Sequence, residues 1–256
     1  YAWISSFVPQ AQVLALNYIF PTERVPEVID WMVKNGEFFP LLDQAFRKNG
    51  LVPMTIMYEG WQWVTSKTPI KEPSDMDGLK LRLMSSKLLV EDYKAYGASP
   101  TPMSYGEVYS GLQMGLIDAQ VNPLFAIYSM KFYEVQDYFT QLKSEPFLGI
   151  PTANLDFFEN LPEEVQDEML RWWQSSIIPA GKWIDERNAS DKAKIKKAKP
   201  DAVFHVIDDA AVEKFEKRAE TVYPKYKRIG GEGAEKILEA LLKDIEDAKK
   251  ALGIKM

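Results

Sequence analysis

Arg82 sits inside an apolar run, Leu79-Lys80-Leu81-Arg82-Leu83. In a strand, alternation puts the three leucines on one face, with Lys80 and Arg82 on the other. A guanidinium there can grip a carboxylate through two parallel hydrogen bonds, and it keeps its proton. The same spacing also describes a solvated strand face whose arginine joins a surface ion pair worth little. Asn122 is a second candidate. The short apolar run Leu116-Ile117-Asp118-Ala119-Gln120-Val121 before it suits a parallel strand. Asn122-Pro123 then reads as a helix N-cap with proline at the first helical position. Asn122 therefore falls at the carboxyl end of a strand, where open α/β sheets bind ligands. Trp61 and Trp63 flank Gln62, and alternation gives the two rings one face, for a pocket or for a core. Tyr105 opens the helix before the Asn122 strand, either as a core aromatic or as a pocket wall with one hydroxyl.

Other groupings carry less. Glu163-Glu164 and Asp208-Asp209 stand at helix starts, where acids favour the helix dipole, so they read as solvated caps and not as paired catalytic carboxylates. The lysines from Lys192 to Lys199 read as a solvated helix face. Trp172 and Trp173 are adjacent on a helix and point in different directions, which argues against a stacking cage. No glycine-rich phosphate loop and no nucleophile elbow occurs.

The elements that must position these groups alternate. Val25–Lys34 and Gly36–Lys48 read as helices, Leu51–Tyr58 and Trp61–Thr65 as strands, and Ser74–Gly78 as a turn into the strand Leu79–Leu83. Helices follow at Ser86–Tyr96 and Tyr105–Gly115, and strands at Tyr138–Lys143 and Leu148–Leu155. A long helical pattern runs from Pro162 to about Lys199, where Pro200 stops it. The strand Ala202–Ile207 and two closing helices, Asp208–Lys227 and Gly233–Leu252, complete the chain. This alternation predicts α/β layers with parallel sheet.

Composition narrows the function. With 256 residues the chain holds one large or two modest domains, and 46% hydrophobic residues supply a full core. A net charge of -6 argues against a nucleic-acid partner, yet one focused cation in a cleft still selects an anion. There is no cysteine, and His205 is the only histidine, so thiolate and multi-histidine metal sites are excluded and a histidine triad is disfavoured. No metal or cofactor is expected. No run of 18 or more apolar residues occurs that would span a membrane.

Three ordered segments resemble signatures of the solute-binding proteins of tripartite ATP-independent periplasmic (TRAP) transporters, the DctP-like family. They are GLKLRLM from Gly78 to Met84, YGEVYSGLQMGLIDAQVNPL from Tyr105 to Leu124, and KFYEVQDYFT from Lys131 to Thr140. The resemblance runs from Phe7-Val8-Pro9-Gln10-Ala11 to the terminal helices. It implies two α/β lobes around a ligand cleft, with crossing strands and a long lobe-spanning helix. Residues 1–77 would be part of lobe one and 78–140 most of lobe two. Residues 141–256 would supply crossing strands, the spanning helix and closing elements packed mainly on lobe one. The start, YAWISSFVPQAQ, lacks a basic segment and a cleavage signal. In the resembled family a strand–helix–strand segment precedes this point, after the secretory signal, so the beginning of lobe one is expected to be missing here.

The resemblance also assigns roles. Arg82 would form a salt bridge to the ligand carboxylate, Asn122 would donate a hydrogen bond, and Tyr105 would stand where a phenylalanine usually packs on the ligand. Gln120-Val121-Asn122-Pro123 departs from the usual Gln-Glu-Asn-Pro. Gln62 and Trp3 occupy positions where sugar-acid binders can carry arginine. Trp3, Trp61, Trp63 and Phe147 are further candidate ligand contacts. The expected function is capture of a small organic acid in the periplasm and its delivery to membrane subunits. A monocarboxylate with a hydrophobic or aromatic body is favoured, such as an aryl or branched-chain 2-oxo or 2-hydroxy acid. A C4-dicarboxylate or a sugar acid is the alternative. A ligand-sensing protein and an α/β enzyme acting on a carboxylate are the readings from other classes, and the enzyme lacks a nucleophile–base pair. A monomer is favoured.

Overall fold

The computed structural model describes residues 3–254; the first two and last two residues of the expected lobes lie outside that range. Two short 3-10 turns, Ile4–Ser6 and Pro9–Ala15, lead into helices α1 (Val25–Asn35) and α2 (Phe38–Arg47). Strands β1 (Leu51–Pro53), β2 (Met57–Trp61), β3 (Trp63–Ser66) and β4 (Lys80–Leu83) follow, then α3 (Lys87–Ala95), β5 (Ser99–Pro102) and α4 (Val108–Gln113). Next come β6 (Ala119–Asn122), α5 (Leu124–Ser129), β7 (Tyr138–Gln141), β8 (Pro146–Gly149), β9 (Thr152–Asn154) and α6 (Leu155–Glu159). The chain continues through α7 (Glu163–Ser175), α8 (Ile177–Ala198), β10 (Val203–Val206), α9 (Asp209–Ala219), α10 (Tyr223–Gly230) and α11 (Ala234–Leu252).

A six-stranded sheet in the order β10-β7-β3-β6-β4-β5 dominates, and two antiparallel pairs, β1-β9 and β2-β8, stand apart from it. Within the large sheet β4, β5 and β6 run parallel, β7 and β10 run parallel, and β3 opposes both of its neighbours. The carboxyl ends of β4, β5, β6, β7 and β10 therefore share one edge with the start of β3. That is the edge where α/β sheets bind ligands.

Alternation along the strands feeds two cores. Val64, Leu81, Leu83, Ala119 and Val121 face the main core with Leu88 and Leu89 of α3. Trp63 and Phe139 face a second core with Val108 and Leu112 of α4, Ile127 of α5 and Ile195 of α8. Burying each such aliphatic side chain is worth about 1.5–3 kcal/mol.

Several expected elements divide where proline or a change of partner demands it. The strand expected over 51–58 is two strands, because β1 pairs with β9 and β2 with β8. The strand expected over 148–155 divides in the same way. The long helix breaks at Ser176, three residues before Pro179, whose ring would clash with the Ser175 carbonyl in a continuous helix. Pro224 likewise separates α9 from α10. Strand β5 contains Pro100 and Pro102 and survives only because it is the sheet edge.

Candidate functional site

Arg82 is buried, only 2% exposed, and the solvated alternative is ruled out. Its strand position sets it beside Gln120 of β6 on one side and Thr101 of β5 on the other. The leucines on either side face the main core, so the guanidinium takes the opposite face. Its Nε donates to the Met103 carbonyl at 3.0 Å, and its carbon lies 5.8 Å from the centre of the Tyr105 ring. Nη1 is buried without a hydrogen-bond partner, and among the described residues no carboxylate forms a salt bridge with Arg82. Burial pulls the guanidinium down to about 10, with Tyr105 acting in the other direction. It remains a cation at neutral pH, and its counter-charge has to come from outside these residues.

Asn122 ends β6, buried, directly opposite Trp63. The expected N-cap role is corrected. Asn122 stays in the ladder and Pro123 takes the capping position, so the Asn122 side chain does not cap α5. The Asn122 amide instead donates to Gln120 Oε1 at 2.5 Å. Gln120 donates to Thr65 Oγ1 at 2.9 Å, and the Thr65 hydroxyl donates to Gln136 Oε1 at 3.0 Å. Gln136 is anchored by the carbonyls of Val135 and Asp118. Gln120, Thr65 and Gln136 form a buried polar relay that the sequence reading missed. Alternation in Asp118-Gln120-Asn122 was the available signal, since it puts Gln120 on the face of Asn122.

Tyr105 is 40% exposed and packs edge-on against Phe132, with ring centres 5.9 Å apart. Its hydroxyl donates to the Ala126 carbonyl at 3.3 Å, so it braces α5. Gln62 is 4% exposed, its backbone N–H donates to the Glu145 carbonyl, and neither polar atom of its side-chain amide has a partner. A buried amide with both ends unsatisfied is costly. It lies at the sheet edge shared by Asn122 and by the chain leaving β7 toward Glu145, another buried acid.

The tryptophans do not act together. The expectation that Trp61 and Trp63 share a face fails because the chain changes sheets at Gln62. Trp61 ends β2 opposite Pro146 and packs on the main core, whereas Trp63 begins β3 inside the second core. Trp63 meets Phe204 edge-on at 5.8 Å, and Lys192 Nζ lies 4.9 Å over its ring. Trp3 is 78% exposed and contacts Phe7 at 5.8 Å. Phe147 is half-buried on β8 against the main core. Trp172 and Trp173 touch edge-on, with planes 85° apart, and so form no parallel cage. The structure thus gathers Arg82, Tyr105 and Asn122, and brings Gln62 to the same edge. A cavity of about 630 Å³ opens past the ends of β4 and β5, lined among others by Ser85, Pro102 and Arg228, though Arg82 itself does not line it.

Among the described residues no group of three or more histidine, aspartate or glutamate side chains is placed to hold a metal, and no helix is long and apolar enough to cross a membrane.

Residues 1–229 match the family described as DctP, bacterial extracellular solute-binding protein, family 7. An ectoine/5-hydroxyectoine-binding periplasmic protein of Ruegeria pomeroyi is 34% identical over 94% of this chain and 70% of its own length. The ectoine-binding periplasmic protein TeaA of Halomonas elongata is 35% identical over the same shares, 94% and 70%. The solved TeaA structure superposes with a TM-score of 0.88 at 31% identity, covering 96% of this chain and 80% of that one. A succinate-bound TRAP solute-binding protein of Shewanella oneidensis gives a TM-score of 0.81 at 26% identity, covering 94% and 77%. The fold is therefore the two-lobe α/β binding fold, and the molecule is a periplasmic binder rather than an enzyme. The chain belongs to the DctP family of bacterial extracellular solute-binding proteins, among those that serve TRAP transporters.

Proposed function

We propose that this protein captures a small monocarboxylate in a cleft at the carboxyl edge of the six-stranded sheet and presents it to the membrane subunits of its transporter. The observation that carries the reading is Arg82: a buried cation whose Nη1 has no hydrogen-bond partner and which forms no salt bridge among the described residues. A ligand carboxylate would supply the missing charge, and Asn122 at the end of the polar relay would orient it. Residues 1–77 would belong to lobe one and 78–140 to lobe two, with residues 141–256 crossing between them and packing mainly on lobe one. Closure of the lobes over the ligand would complete the site.

The ligand body is the finer question. Trp63 lies in the core and Trp3 is exposed, so the ring surface available to a ligand falls mainly to Tyr105. This favours a compact ring-bearing monocarboxylate over a large aromatic one. Ectoine, one carboxylate on a small ring, is the leading compound, since two relatives near one-third identity carry it in their names. A dicarboxylate would have to desolvate a second charge beside a neutral Gln62. The test is a thermal-shift panel of ectoine, branched and aryl 2-oxo acids, succinate and a uronate, with solution scattering on the best ligand. A monocarboxylate should raise the melting temperature and compact the molecule. Stabilisation by succinate alone would overturn the monocarboxylate assignment, and stabilisation by the uronate alone, itself a monocarboxylate, would overturn ectoine as the leading compound.

A further inference from the structure

A cavity of about 540 Å³ lies between the strand pair β2-β8, helix α5 and helices α7 and α8, and none of Arg82, Gln62, Tyr105 or Asn122 lines it. Four rings do: Tyr58, Phe125, Trp173 and Trp183. Trp183 is 58% exposed, so its ring is not spent on the core. One carboxyl joins them. Glu59 makes no salt bridge or side-chain hydrogen bond among the described residues, and burial raises it, with the charge of the amino terminus acting in the other direction. Arg187 also lines the space, but its Nε donates to the buried carboxylate of Asp191 at 2.6 Å. Tyr58 donates to Asp185 at 3.0 Å, which adds another acid nearby.

The walls are braced. Asn188 of α8 donates to the Glu59 carbonyl at 3.3 Å and accepts from the Phe125 backbone N–H at 2.8 Å, joining strand, α5 and α8 around the space. Gly60 makes this possible. Its φ is +103°, and a Cβ there would lie 2.3 Å from Asn188 Nδ2.

Ring faces attract cations, and an acid held out of water gains most from a nearby positive charge. An anion would meet Glu59, and Arg187 is tied through Nε to Asp191, which also pairs with Lys194 at 2.8 Å. We propose that this cavity is a second ligand site, one that takes a small organic cation of the amine or quaternary ammonium class.

Choline and its uncharged isostere, with carbon in place of the ammonium nitrogen, test this by quenching of tryptophan fluorescence. Choline should give saturable quenching at millimolar concentration, and the isostere should bind at least about tenfold more weakly. Trp183→Leu and Glu59→Gln should each weaken choline binding by about tenfold, because one removes a ring and the other the charge. Arg82→Met should leave choline binding unchanged, since that residue lines no part of this cavity. Equal responses to choline and the isostere would show a merely apolar hollow. Unchanged binding in both cavity variants, or loss of choline binding in Arg82→Met, would move the cation elsewhere and overturn the assignment. None of these outcomes bears on whether a carboxylate binds at Arg82.

Discussion

Replacing Arg82 by methionine should move stability and binding in opposite directions. Burial lowers the guanidinium from its ordinary value to about 10, equivalent to about 3 kcal/mol against the charged form in the free protein. Methionine removes that cost and also removes the Nε hydrogen bond to Met103, worth about 1 kcal/mol. The net expectation is a ligand-free protein more stable by about 1–2 kcal/mol, and its melting temperature should rise by about 3–6 °C. A ligand carboxylate loses its partner in the same variant. Truncating one member of a desolvated charge pair costs about 2–5 kcal/mol, so affinity should fall by about 30-fold or more. Arg82→Lys should recover only part of this, because a point charge does not reproduce the two-pronged contact. Calorimetry and thermal melts on the same samples supply both numbers. Unchanged affinity in Arg82→Met would refute the assignment of Arg82, and a lower melting temperature would refute the argument that its isolation is costly.

Two further expectations concern other buried groups. Gln62→Arg places a second cation at the sheet edge where an amide now has no partners, so succinate should gain affinity relative to monocarboxylates in a competition thermal shift; an unchanged preference would show that position 62 does not face the ligand. Asp92 is buried, and burial first, then neighbouring Glu145, raises it well above 3.8 against the pull of Asn17 and Lys225. A carboxyl raised in the folded state costs nothing below its unfolded value and becomes a growing liability as pH climbs above it. Asp92→Asn should therefore melt higher than the parent at neutral pH and together with it near pH 3.8, and a constant difference across that range would exclude the ionisation as cause.

Where a local pattern had one physical solution, it was legible. Ser86 caps α3 through its hydroxyl and Asp208 caps α9, both at positions the residue types indicate. The strand carrying Arg82 and the strand ending at Asn122 followed from short apolar runs bounded by turns. What escaped was set by partners distant in the chain. Nothing local shows that β1 and β2 must separate, because their partners are Thr152–Asn154 and Pro146–Gly149. Trp63 alternates correctly with Trp61 on paper, yet the two strands that carry them belong to different sheets. The relay through Gln120, Thr65 and Gln136 is likewise assembled from three places in the chain.

The division between fixed and unsatisfied polar groups bears on mechanism. Asn122, Gln120, Thr65 and Gln136 satisfy one another, so their geometry exists before any ligand arrives. Arg82 and Gln62 do not: one carries an unpartnered buried N–H and the other an unpartnered buried amide. Pre-satisfied groups can orient a ligand but gain little from its binding, whereas unsatisfied ones recover their desolvation cost only when it binds. Affinity should therefore reside in Arg82 and Gln62 and orientation in the relay. Disturbing the relay would then relax selectivity among carboxylates before it weakened all of them.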